Sequence, residues 1–230
     1  MKKLGLVGGT GPESTVMYYK ALNALVDEAT GGACMPEITI ESVDFRKTWA
    51  QTCEGRREDL ATYLSDKVMM LKRSGAEVVA LTAVTMHMVC EEIEKQTKVP
   101  LVRIPEAVCE VAAARGYRRV GLLGTAATME GDFMKKAFWN AEIEIVVPEE
   151  EDCALVARRI FEELEFGVVK KSTRQELNAV IKKLKDRHNI EAVVLGCTEL
   201  PLILNDENAV LPCLDAMKIH IEKLATLAQS

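Results

Sequence analysis

Two short stretches of this chain recur about half a chain later, and this repeat limits the possible folds more than any other feature. Glu77-Val-Val-Ala-Leu81 matches Glu191-Ala-Val-Val-Leu195, and Lys2-Lys-Leu-Gly-Leu-Val-Gly8 matches Arg118-Arg-Val-Gly-Leu-Leu-Gly124. Residue 77 falls on 191 and residue 2 falls on 118, which are offsets of 114 and 116. Two separate matches at nearly one offset indicate an internal duplication. The alternative is chance, because apolar strands of buried sheets resemble one another.

Short apolar strands alternate with amphipathic helices along the whole chain, which is typical of parallel sheets covered by helices on both faces. The prediction is an α/β fold with two pseudo-symmetric three-layer domains, mainly parallel sheets and an active-site cleft between the domains. The predicted N-terminal domain comprises residues 1–99 plus 209–230, and the C-terminal domain comprises 100–208. The loops expected to line the cleft are 8–12, 82–87, 124–128 and 196–199. Residues 44–54 are predicted to form a further loop.

Composition and charge exclude several classes of protein. The net charge of −6 and the lack of a basic stripe give no indication of nucleic-acid binding. No apolar run is long enough to span a membrane. The seven cysteines are scattered without a Cys-x-x-Cys pair, and there are three histidines, so neither a disulfide framework nor a metal site is indicated. The expected setting is therefore the reducing cytoplasm.

Cys197 lies where an apolar strand, 192–195, meets Gly196 and then Pro201, a residue that suits the first turn of a helix. Ligands of open α/β sheets bind at such strand ends. A helix N-terminus there would lower the pKa of the thiol from about 8.5 toward neutrality. The alternative is a small cysteine that only packs in the core.

A glycine-rich loop, Gly8-Gly-Thr10-Gly-Pro12, joins the first predicted strand to the first helix. Its backbone N–H groups suit an anion. The loop lacks the Lys-Ser/Thr of a P-loop and the spacing of a dinucleotide fingerprint, so a carboxylate fits better than a nucleotide phosphate. A tight turn that needs glycine for backbone reasons alone is the alternative.

Five motifs in order along residues 3–222 resemble the aspartate/glutamate racemase superfamily, and most of all its aspartate racemase branch. They are Gly8-Gly-Thr-Gly-Pro-Glu-Ser-Thr15, Thr85-Met-His87, Leu123-Gly-Thr-Ala-Ala-Thr128, Gly196-Cys-Thr-Glu-Leu200 and Leu211-Pro-Cys-Leu-Asp215. The resemblance implies two pseudo-symmetric α/β domains, no pyridoxal phosphate, no metal and a homodimer. It also implies a small amino acid or dicarboxylate as substrate, with no nucleic-acid or membrane partner.

The family chemistry moves the α-proton between two cysteines on opposite faces of the substrate Cα. By resemblance, Cys197 is one of them, whereas Ala83 stands where the other belongs and Val84 stands where the family has asparagine. The internal repeat, which does not depend on the family, also aligns Ala83 with Cys197. Thr82 could replace the missing base if the loop slipped in register, although an unactivated hydroxyl is a weak base.

The remaining expected site residues follow from the same resemblance. Donors to the charge that develops on the substrate carboxylate are expected from Thr10, Thr85, Thr125 and Thr198, with Thr85 and Thr198 favoured for the α-carboxylate. Ala83 and Val84 are expected to line the substrate site. His87 either orients the first loop or supplies an acid–base group, or it begins a helix and is hydrogen-bonded by the backbone. Glu199 either polarises Cys197 or caps the following helix.

Two charged residues bear on the choice of substrate. Relatives carry lysine near position 165 for the distal carboxylate of the substrate, and Glu165 here would make an acidic side chain less welcome. Arg46 either binds that carboxylate or faces solvent. Three functions compete: an amino-acid racemase with an atypical second face, a decarboxylase or isomerase that protonates with the single thiol of Cys197, and a dicarboxylate or amino-acid binder without catalysis.

Overall fold

The computed structural model describes residues 1–230 as eight strands and ten α-helices. The strands are Leu4–Gly8 (β1), Ile38–Ser42 (β2), Val78–Leu81 (β3), Leu101–Val102 (β4), Arg119–Gly124 (β5), Glu144–Val146 (β6), Ala192–Gly196 (β7) and Cys213–Asp215 (β8). The helices are Pro12–Ala29 (α1), Phe45–Cys53 (α2), Arg57–Arg73 (α3), Cys90–Thr97 (α4), Ile104–Ala114 (α5), Ala126–Glu130 (α6), Phe133–Trp139 (α7), Glu150–Glu162 (α8), Lys171–His188 (α9) and Ala216–Gln229 (α10). None of these helices is long and apolar enough to cross a membrane.

The chain folds as two compact α/β units, one of Met1–Arg103 with His220–Ser230 and one of Ile104–Ile219. Each unit contains one four-stranded sheet. The strand order is β2-β1-β3-β4 in the first and β6-β5-β7-β8 in the second, and every pair is parallel. This is the α/β class that alternating strands and helices predict.

The predicted division of the chain differs from this one chiefly at residues 209–219. The prediction assigns these residues to the N-terminal domain, but β8 pairs with β7 in the second sheet, with Val193 opposite Cys213. The backbone hydrogen bonds of that pairing join the segment to the second unit.

The two sheets share their register as well as their order. Leu4 pairs with Val78 in the first sheet, and Val120 pairs with Ala192 in the second. These are the residues that the offsets of 116 and 114 place on each other. The two halves thus have the same architecture, which is the arrangement that the repeat predicts.

Each unit has its own apolar core beside its sheet. In the first unit, Leu64, Val68 and Leu71 on one face of α3 pack with β3 and α4. In the second unit, side chains of α8 and α9 pack with β7, among them Ile160 and Leu177. The helical spacing of these apolar residues is why the segments form amphipathic helices.

The segment 44–54, predicted to be a loop, is the helix α2. The Asp44 carboxylate accepts hydrogen bonds from the backbone N–H groups of Arg46 and Lys47, which caps the helix. The prediction was wrong because this helix buries only Thr48 and Gln51, so it has no apolar stripe to reveal it.

A pair of glutamates shows how closely the halves match. The Glu191 carboxylate accepts from the backbone N–H groups of Arg118 (2.6 Å) and Arg119 (3.0 Å), and the Glu77 carboxylate accepts from Lys3 N–H (3.2 Å). These hydrogen bonds lower the pKa of Glu191. Each glutamate therefore holds the start of the adjacent central strand.

We expect Glu191→Gln to lower the free energy of unfolding by about 1 kcal/mol, because two charge-assisted bonds become neutral ones. The matched variant Glu77→Gln weakens one longer bond and should cost less. Urea denaturation of both variants at neutral pH measures the difference. A larger loss for Glu77→Gln would contradict this account.

Candidate functional site

The expected site residues of the first unit follow the carboxyl ends of two neighbouring strands. Thr10 lies in the loop after β1, and residues 82–85 follow β3, which pairs with β1. Thr10, Ala83 and Thr85 are partly exposed, whereas the side chains of Thr82 and Val84 are buried. The sheet therefore brings the two loops together at its carboxyl edge, where ligands of parallel sheets bind.

Thr82 continues β3 in register, without the slip that would bring its hydroxyl into the loop. Its N–H and its hydroxyl both bond to the carbonyl of Val7 (3.1 and 3.3 Å), and the hydroxyl also lies 3.4 Å from Oγ1 of Thr15. The side chain is 0% exposed. A carbonyl and a second hydroxyl cannot take its proton, so nothing beside Thr82 activates it as a base.

His87 belongs to the 3-10 helix Val84–Val89 and is buried. Its Nδ1 lies 3.0 Å from the carbonyl of Ala83 and 3.2 Å from that of Val84, so Nδ1 carries the hydrogen. Burial lowers the pKa of His87 to about 4. These contacts match the interpretation in which His87 begins a helix and is hydrogen-bonded by the backbone, and its orienting role in the site stays a prediction.

Two close contacts between a threonine and a glycine shape the strand ends, and sequence reasoning missed them. A Cβ on Gly8 would come within 2.5 Å of Thr15 Cγ2, and one on Gly124 within 2.9 Å of Thr128 Cγ2. Thr15 Oγ1 also accepts from the N–H of Gly9 (2.9 Å). The threonines lie seven residues after Gly8 and four after Gly124. These unequal spacings hide the equivalence in the sequence.

In the second unit, the expected residues lie after β5 and β7, which also pair. Thr125 caps α6: its hydroxyl accepts from Thr128 N–H (3.3 Å) and lies 3.0 Å from Thr128 Oγ1. Cys197, Thr198 and Glu199 follow β7 directly and are partly exposed. Thr125 therefore neighbours the Cys197 loop at this edge.

The environment of Cys197 differs from the predicted one. The Pro201 segment is a single 3-10 turn, Leu200–Leu202, rather than a helix with a dipole. Burial of the thiol, and then the adjacent Glu199 carboxylate, raise the pKa of Cys197 well above its ordinary value. The predicted decrease was wrong, and the resting group is a thiol.

The side chain of Glu199 contacts the thiol and makes no capping hydrogen bond. Cys197 Sγ donates to Glu199 Oε2 at 2.9 Å. Of the two roles considered for Glu199, the structure contains the contact with Cys197. A thiol and a carboxylate in hydrogen-bond contact can pass one proton between them.

The position equivalent to Cys197 in the first unit is Ala83. Leu81 pairs with Val7, and Leu195 pairs with Leu123, so the second residue beyond each pair is Ala83 in one unit and Cys197 in the other. Of the two equivalent strand ends, only that of β7 therefore carries a thiol at this position.

The two charged candidates lie on different elements. Arg46 is on α2 with its side chain exposed to solvent. Glu165 lies in the 3-10 turn Leu164–Phe166 of the second unit with its side chain exposed, and desolvation and then the charge of Glu199 raise the pKa of its carboxyl. No group of three or more His, Cys, Asp or Glu side chains is arranged to hold a metal ion.

The contact between Cys197 and Glu199 predicts a reactivity change. In Glu199→Gln, a neighbouring negative charge is lost, so the pKa of Cys197 should fall by one unit or more and alkylation by iodoacetamide at pH 8.5 should accelerate about tenfold. Mass spectrometry of the Cys197 peptide measures the rate, with the exposed Cys53 as internal reference. An unchanged rate would show that Glu199 does not control the thiol.

Comparison with known proteins gives one consistent result. Residues 7–224 match the family model described as Asp/Glu/Hydantoin racemase. The structure is similar to a proposed Asp/Glu racemase from Yersinia pestis (35% identical, TM-score 0.94) and to an aspartate racemase homologue from Pyrococcus horikoshii OT3 (38% identical, TM-score 0.87), each over 100% of both chains. The broad specificity amino-acid racemase RacX of Bacillus subtilis (strain 168) is 18% identical over 93% of this chain and 92% of its own.

Proposed function

The chain belongs to the Asp/Glu/Hydantoin racemase family and is an isomerase of the racemase class, and we propose that it is a cofactor-independent amino-acid racemase in which Cys197 exchanges the α-proton. The observation that carries this proposal is the contact between the Cys197 thiol and the Glu199 carboxylate at the carboxyl end of β7. This pair supplies a proton carrier and its immediate partner.

The raised pKa of Cys197 keeps the proton on sulfur in the resting enzyme. In this scheme Glu199 first takes the thiol proton, and the resulting thiolate removes the α-proton, which breaks the C–H bond, forms the S–H bond and leaves the electron pair on a carbanion at Cα. Return of the proton from sulfur to Cα breaks the S–H bond and forms the C–H bond, and Glu199 then gives its proton back to the thiolate. Each step is reversible, as proton transfer in both directions requires.

The charge that develops at Cα spreads into the substrate carboxylate, which needs hydrogen-bond donors. We propose that Thr125 and Thr198 donate in the second unit and that Thr10 and Thr85 donate in the first. All four side chains are partly exposed at the carboxyl edge of their sheet.

The homodimer expected from the resemblance stays a prediction, which light scattering can test.

One-sided chemistry is the second candidate, and a specific observation favours it. The strand end equivalent to β7 carries Ala83 instead of a thiol, and Thr82 beside it is buried and bonded to a carbonyl. A single thiol that protonates an enediolate from one face, as in a decarboxylase of the same superfamily, requires no second thiol.

Proton–deuterium exchange at Cα, followed by NMR in heavy water, tests both candidates. The panel contains acidic, neutral and basic amino acids of both hands, together with malonate-type acids. Exchange with inversion supports the racemase. Formation of a single enantiomer of a deuterated product, with loss of carbon dioxide, supports the decarboxylase. No reaction with any compound would contradict both.

A further inference from the structure

Three polar side chains are buried behind the loop that follows β3: Tyr18 of α1, His220 of α10, and His87 of the 3-10 helix. Tyr18 and His220 are 0% exposed, and His87 is 5% exposed. Burial of a polar group is costly unless the group is hydrogen-bonded. Each of the three has such a bond, so the fold maintains a polar network at this place.

The hydrogen bonds of His220 fix the orientation of its ring. Its Nε2 lies 2.9 Å from the carbonyl oxygen of Val102, which can only accept, so Nε2 carries the hydrogen. Its Nδ1 therefore accepts from the hydroxyl of Tyr18 at 2.7 Å. Val102 ends β4, an edge strand of the first sheet. His220 thereby joins α1 and α10 to the carboxyl end of that strand.

The ring of His220 supports the ring of His87. Their centroids lie 6.2 Å apart at an interplanar angle of 82°, an edge-to-face arrangement that aromatic rings favour. Nδ1 of His87 donates in turn to the carbonyls of Ala83 (3.0 Å) and Val84 (3.2 Å). A continuous chain of contacts therefore runs from Tyr18 through both histidines to two peptide groups of the loop after β3.

We infer that His220, oriented by Tyr18, is a positioning residue for the reaction. It acts through His87 on the loop at 83–85, and it does not touch the substrate itself. Placement of this loop matters because a displacement of about 1 Å can slow a catalysed reaction about 10²-fold. The inference rests on the proposed racemase activity, in which Thr85 of this loop is one of the donors.

The test compares kcat and KM for α-proton exchange in the unmodified protein and its variants, with the best substrate of the panel. Tyr18→Phe removes only the hydroxyl that orients His220, whereas His220→Asn removes the ring. We expect kcat to fall about threefold in Tyr18→Phe and about tenfold in His220→Asn, with KM changed less, because the site must fit the transition state more closely than the bound substrate.

The matched control is Leu22→Val, which changes a buried residue one turn further along α1. It disturbs the core without touching the chain of contacts, so kcat should stay within about twofold of the unmodified protein. Circular dichroism at the assay temperature verifies that every variant is folded.

A double-mutant cycle separates positioning from a general loss of stability. His87→Asn keeps an N–H donor close to the place of Nδ1, but it has no ring for His220 to contact. If the two histidines act as one chain, kcat of His87→Asn/His220→Asn should lie within about twofold of the slower single variant, whereas independent losses multiply.

The outcomes separate the inference from the function. Multiplied losses in the double variant, or an unchanged kcat in both Tyr18→Phe and His220→Asn, would overturn the positioning role while the racemase proposal stands. A loss in Leu22→Val equal to that in His220→Asn would show a general effect of core packing and would also overturn it. Exchange with no amino acid in the unmodified protein would overturn the proposed function and this inference with it.

Discussion

Replacing Cys197 with alanine is expected to slow α-proton exchange by a factor of about 10³ or more. A positioned acid–base group contributes roughly 10² to 10⁴ to such a transfer, and alanine has no proton to give. The Glu199 carboxylate remains in this variant but loses the thiol that donates to it at 2.9 Å. The measurement is the NMR exchange rate in heavy water with the best substrate of the panel.

The control for this variant is Cys213→Ala. Cys213 is a second half-buried cysteine of the same unit, and it lies on β8 opposite Val193, away from the carboxyl end of β7. Burial raises the pKa of Cys213 to about 12, so it too rests as a thiol. Exchange should be unaffected in Cys213→Ala. Equal losses in both variants, or full exchange in Cys197→Ala, would contradict the role of Cys197.

The second large effect is expected on acidification, because the first unit buries two neutral histidines. His220 is 0% exposed: its Nε2 donates to the carbonyl of Val102 (2.9 Å), so its Nδ1 accepts from the hydroxyl of Tyr18 (2.7 Å). The ring centroid of His87 lies 6.2 Å away. Burial lowers the pKa of His220 to about 3 and that of His87 to about 4.

The sign of the effect follows from proton binding in the two states. An unfolded histidine binds its proton near pH 6.5, whereas these two stay neutral in the folded state until the pH falls to their lowered pKa values. Below pH 6.5 the unfolded state therefore binds more protons, and stability decreases as the pH falls. We expect the free energy of unfolding to drop by on the order of 4 kcal/mol between pH 7.5 and pH 5.

Urea denaturation across this range measures the slope. His220→Asn keeps an acceptor for Tyr18 but cannot be protonated, so the slope should become shallower by about half, even though the variant is less stable overall. The third histidine, His188, ends α9 at the surface, and His188→Asn is the matched control. A slope that is the same in all three proteins would exclude the buried histidines as its cause.

Several features of the molecule could be predicted because they depend on local pattern. The strand at 192–196 is a continuous apolar run, and α3 has apolar residues at helical spacing. Helix α2 was missed because a cap alone, at Asp44, defines its start and only two of its residues are buried. The prediction of a helix after Cys197 was wrong, since Pro201 begins a 3-10 turn as readily as an α-helix.

The candidate site also combines features that the sequence predicts with features that it does not. The positions of its residues could be predicted, because the strand ends carry the glycines and threonines of the motifs. The pKa of Cys197 does not, because it depends on burial and on the direction of one glutamate side chain. The close contacts of Thr15 and Thr128 with the glycines at the strand ends could not be predicted, because the sequence spacing between threonine and glycine differs between the two halves.

The sequence by itself determined the family, the α/β class, the repeat of two halves and the presence of a thiol at one strand end and an alanine at the other. Only the tertiary structure decided the state of that thiol, its contact with Glu199 and the neutral histidine pair. The reason is physical: apolar periodicity and turn residues act over a few positions of chain. Desolvation and charge act through space, between residues that folding alone brings together.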